Sequence, residues 1–180
     1  MSPAALAARA ARVAARTGGA LILASALLVA AEVAARNLGL GLRLHAFELT
    51  NYAFAIAVAF GFAHALTTRS HIRIDLAYRP LPAPVQAVLD LAALAATVAV
   101  ASGMAWHGWR VVRASLDLGA RPNSTLDLPL ALPQAIWAAG LTFFALVAAV
   151  LCLAAAARLA RGRIAGVRAL AGAGDAEDER

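Results

Sequence analysis

In the stretch RSHIRIDL, residues 69–76, His71, Arg73 and Asp75 alternate with Ile72, Ile74 and Leu76. A histidine, a cation and a carboxylate at period two share one face of a strand, where they could run acid–base chemistry. Three further histidines, His45, His64 and His107, raise the chemistry of a haem held between facing helices. Glu32, Glu48 and Asp90 lie in or beside apolar blocks, where ionisable groups are functional candidates by default. Which of these is chemistry depends on the elements that position them.

Those elements are apolar. The chain of 180 residues is 62% hydrophobic and 14% charged, with a mean hydropathy of +0.75, whereas about a quarter of a soluble domain is charged. The excess falls in four blocks, near residues 18–36, 48–67, 85–109 and 132–157, each close to the roughly 20 residues that cross a bilayer. The fold class is all-α integral membrane protein: four transmembrane helices, with a short interfacial amphipathic segment between the second and third. Residues 1–16 read as an Arg-rich cytoplasmic segment, 17–157 as the membrane domain, and 158–180 as a solvated cytoplasmic tail. The first block reads as a retained helix rather than a cleaved signal, being long, interrupted by Glu32 and followed at once by Arg36.

All sixteen basic residues are Arg, and the net charge is +6. In a soluble protein this would suggest nucleic acid; here the arginines flank apolar blocks, so they set orientation and no nucleic-acid partner is expected. With the N-terminus inside, the inner segments hold Arg9, Arg12, Arg16, Arg69, Arg73, Arg79, Arg158, Arg161, Arg163 and Arg168. The outer loops hold only Arg36, Arg43, Arg110, Arg113 and Arg121. The bias places both termini in the cytoplasm. The single cysteine, Cys152, excludes an intrachain disulfide, and no metal or cofactor motif is visible.

The second block alternates small and large residues, which could suggest a strand. Ala is a poor strand former, four spans fall short of the roughly eight strands a membrane barrel needs, and an open sheet edge is unsatisfied in hydrocarbon. On a helix, Ala53, Ala57, Gly61 and Ala65 form one small stripe. Ala55, Ala59 and Ala63 form a second, roughly opposite. A helix with two small stripes is expected to be flanked on two sides.

On these helices most polar residues read as structural. Glu32 and Arg36 are spaced for a helical ion pair. Glu48 opens the second helix, where a carboxylate suits the dipole. Gln86 and Asp90 sit near the inner interface, Asp90 within reach of an arginine of the preceding loop. Trp106, Trp109 and Trp137 form an outer aromatic belt. His64 and His107 fall in opposite leaflets, and His45 and His71 on loops at opposite faces, which argues against a shared iron. A haem- or quinone-associated anchor of a respiratory complex is the alternative reading, and a free-standing small exporter a third.

With the spans placed, the sequence resembles the small, DctQ-type membrane subunit of tripartite ATP-independent periplasmic (TRAP) transporters, from about Ala31 to Leu153. The resemblance rests on Arg36 closing the first helix, on FELTNYAFAIAVAFGFAHAL with Glu48 opening the second, and on HIRIDL, with His71, Arg73 and Asp75. It continues in STLDLPLALPQAIWAAGLTFFAL, where Pro129 and Pro133 mark the start of the fourth helix and Gly140 follows. Two positions depart from the family pattern: Phe47 stands where Trp is common, and TTRS lacks the usual glycines. The resemblance implies a non-enzymatic scaffold in the bacterial inner membrane. Its expected partners are a large permease subunit, a periplasmic solute-binding protein and membrane lipid. Uptake of a carboxylate-type solute would be driven by a sodium or proton gradient, with the ion sites in the large subunit and no cofactor in this one.

Overall fold

The computed structural model describes residues 2–41, 44–70, 78, 80–122 and 126–171. These form five helices: α1 (Pro3–Asn37), α2 (Ala46–Thr67), α3 (Ala83–Asp117), α4 (Ala131–Ala160) and a short α5 (Ile164–Ala171). Among the described residues there is no strand. The first four are long and apolar enough to cross a membrane. The segment carrying His71, Arg73 and Asp75, with the interfacial stretch expected there, lies outside the described residues.

The helices start where local chemistry favours it. Ser2 caps α1 by accepting from the Ala5 N–H at 3.3 Å, and Pro3 opens the first turn. Pro82 precedes α3, and Pro133 sits in the first turn of α4, where an N–H has no intrahelical partner to lose. At 35 residues each, α1 and α3 are about 52 Å long, well beyond an apolar core of about 30 Å. The arginine-bearing start of α1 is thus helix continuous with the span.

The spatial order is α1, α2, α4, α3, with α4 as the hub. Four of the five buried positions of α1, Ala4, Ala11, Gly18 and Ser25, lie seven residues apart. That spacing belongs to helices crossing at a shallow left-handed angle, and small residues let the backbones close. At Gly18 a Cβ would lie 3.3 Å from the Ala57 Cα of α2. α2 meets α4 on its other side: at Gly140 a Cβ would lie 2.9 Å from both Ala59 Cβ and Phe60 Cδ2. α2 is therefore flanked on two sides, as its stripes imply. The stripes are shorter than expected, because Ala55 is exposed and Gly61 has open space beside it.

α3 and α4 form the most extensive pair, tied by Trp109 Nε1 donating to Thr142 Oγ1 at 3.0 Å. The expected belt residue Trp109 thus also serves packing, while Trp106 remains 67% exposed. Within the tail expected to be solvated, residues 164–171 form α5. α5 packs on α3 and α4, Val167 is fully buried, and Arg158 Nη1 donates to the Gly166 carbonyl at 2.6 Å.

Candidate assembly site

The polar groups collect at the two ends of the bundle, with close helix contacts between. At the end opposite the termini, the Glu32 carboxylate accepts from the Ala46 N–H, the first residue of α2, at 2.6 Å. His45, the N-cap residue of α2, is left-handed at φ 52° and offers no side-chain cap. A helix start leaves its first N–H groups without intrahelical acceptors, so α1 supplies through Glu32 what α2 lacks. The expected Glu32–Arg36 pair is not formed. Among the described residues the ion pair is Arg121–Asp127 at 2.5 Å, and a backbone donor at a positive helix end holds Glu32 better than an exposed guanidinium.

Glu48 lies in the first turn of α2. Its Oε2 is buried and, among the described residues, meets no hydrogen-bond donor. Pro129 and Pro133 set the start of α4: the Pro129 carbonyl accepts from the Leu132 N–H at 3.1 Å, and Pro133 is buried. Gly140 lies two turns on, in the tight contact with Ala59 and Phe60.

At the other end, Asp90 is only 1% exposed and accepts from the Tyr78 hydroxyl at 2.8 Å. Gln86 Nε2 donates to the Leu81 and Tyr78 carbonyls at 2.9 and 3.2 Å. These bonds pin the end of the α2–α3 connection to α3. Tyr78 carries no sequence signal for this role, whereas a carboxylate and an amide four apart in an apolar helix mark where a connection must be tied. His64 is half-buried near the end of α2, and His107 is exposed on α3.

Among the described residues, these contacts bind the protein's own helices together. Fold and site together define a multi-pass α-helical membrane protein whose polar side chains serve helix ends and helix contacts. A family model for tripartite ATP-independent periplasmic transporters, DctQ component, matches residues 25–162. The chain belongs to that family: it is the small permease component of a TRAP transporter, a transporter part and not a member of an enzyme family. The match takes in the last third of α1 and all of α2, α3 and α4. Searches of curated proteins and of solved structures found no match.

Proposed function

We propose that this chain is the scaffold of its transporter: it holds a large permease subunit in the inner membrane and offers its outer end to a periplasmic solute-binding protein. Both termini lie in the cytoplasm, following the arginine bias. The assembly takes up a carboxylate-type solute on a sodium or proton gradient, without ATP. His71, Arg73 and Asp75 anchor the inner connection at the lipid interface, where Arg73 meets anionic head groups.

One observation carries the scaffold reading. The four spans are continuous helices, and three of their polar side chains engage partners within this chain: Glu32 on Ala46, Asp90 on Tyr78, Trp109 on Thr142. Transport sites are built instead from broken helices with free termini near the midplane. The solute and ion sites therefore belong to the large subunit. Purification through a tag on this chain tests the reading: a large hydrophobic partner should be recovered with it. Recovery of the chain alone, or uptake by the chain alone in liposomes, would overturn it.

A further inference from the structure

At the end opposite the termini, α2 and α4 part to leave a recess of about 150 Å3. Tyr52 and Ala55 of α2 line it, with Leu130, Pro133, Gln134 and Trp137 of α4. Trp137 also packs against the buried cluster of Ala59, Ala105 and Leu141. The walls are almost wholly apolar.

Two buried acceptors lie at or next to this recess without a hydrogen-bond donor among the described residues. Gln134 Oε1 is buried and, among the described residues, unbonded. Glu48, one turn before Tyr52 on the same face of α2, has its Oε2 in the same condition. A buried acceptor with no donor is costly to a fold, and a carboxylate more so. One of them, on Gln134, lines the apolar recess, and the other, on Glu48, lies one turn from its Tyr52 wall; together they describe half of a contact.

We propose that the recess receives one cationic side chain, Arg or Lys, from the large membrane partner. Its donors end on Glu48 and Gln134, and its methylene stem lies against Tyr52 and Trp137, whose ring faces also attract a cation. Size supports a side chain: a cavity of about 150 Å3 holds a group the size of benzene, too small for a helix. Charge supports a protein cation over a lipid amine, because a zwitterionic head group brings a phosphate that two acceptor oxygens repel. The inference rests on the scaffold reading above and locates one of its contacts.

The test uses the full chain, tagged and co-expressed with the large permease of its own system. Glu48→Gln and Gln134→Leu should each weaken permease recovery about tenfold. Ala55→Trp, which fills the recess without touching either acceptor, should do the same. Glu48→Lys should abolish recovery, and one Arg→Glu or Lys→Glu change on the permease should restore it. Circular dichroism of the isolated variants checks folding, and if Glu48→Gln fails to fold, Gln134→Leu and Ala55→Trp carry the test. Wild-type recovery with all three variants within twofold overturns the proposal while leaving the scaffold reading intact. So does a set of permease charge changes none of which rescues Glu48→Lys, with loss of recovery following removal of phosphatidylethanolamine instead. No recovery by the wild type overturns the scaffold reading itself, and this contact with it.

Discussion

Glu32, one turn from the end of α1, holds the backbone N–H of Ala46 at the first position of α2, 2.6 Å away. A side chain of one span thereby fixes where the next begins, across the connection that turns the chain back. Replacing an N-cap acceptor by Ala costs about 0.5–2 kcal/mol. Glu32→Ala is expected to destabilise by that amount, and Glu32→Gln, which keeps an acceptor, by less. Thermal unfolding in detergent, followed by helical circular dichroism, measures both. Equal losses in the two variants would mean that the charge, and not the cap, is what matters.

Gly140→Ala should cost more than its single methyl suggests. The added Cβ would meet Ala59 Cβ and Phe60 Cδ2 at 2.9 Å, so α2 and α4 must move apart. Overpacking of this kind costs about 1–3 kcal/mol. Gly61→Ala is the control, because nothing lies within 4 Å of a Cβ there. The same unfolding assay should separate the two, with Gly61→Ala neutral or slightly stabilising.

Arg69 occupies a left-handed position, φ 57°, at the turn that ends α2. There Ser70 N–H donates to the Ala65 carbonyl and Arg69 N–H to that of Leu66, the bonding of a glycine-type helix stop. The corresponding positions after α1, α3 and α4 are Gly39, Gly119 and Gly162. Left-handed geometry costs a side-chain-bearing residue about 1–2 kcal/mol, of which glycine's unfolded-state freedom offsets about 0.5–1 kcal/mol. Arg69→Gly is expected to stabilise by up to about 1 kcal/mol, read as a higher melting temperature. A drop would show that the guanidinium has a partner worth more than the strain.

Asp90→Ala removes the carboxylate that the Tyr78 hydroxyl donates to, and a hydrogen bond to a charged group contributes about 1.5–3 kcal/mol. The effect should be local, since Gln86 still holds the Leu81 carbonyl. Hydrogen exchange should rise around residues 78–86 and at the start of α3, with α1 and the middle of α4 unchanged. Uniform acceleration along the chain would instead make Asp90 a keystone of the whole bundle.

The spans and their packing were legible because apolar length and residue size are written in the sequence. Ala57 and Ala59 point to opposite sides of α2 by helical period alone, and α1 and α4 lie on those sides. Two features escaped for physical reasons. Glu32 has a good partner by spacing in Arg36, and only the return of the chain reveals the better one in Ala46. The repeat of Ala4, Ala11, Gly18 and Ser25 is small on small, so it leaves no mark in an alanine-rich helix until the neighbour is known. Val167 looked solvated for a related reason: eight residues carry too little periodicity to reveal that α3 and α4 run long enough to receive them. At the assembly site, the sequence pointed to Glu48 but not to Gln134, because an unpaired acceptor is defined by what surrounds it.

The order α1, α2, α4, α3 has a consequence for how the molecule is made. Consecutive spans pair as two hairpins, α1 with α2 and α3 with α4, and the halves join where Gly140 nests against Ala59 and Phe60 and where α1 reaches α4. Each hairpin can leave the ribosome and enter the bilayer as a finished unit, and their meeting is a separate, later event within the plane of the membrane. Severing the connection between residues 70 and 80 should therefore leave two pieces that find each other when made in the same cell.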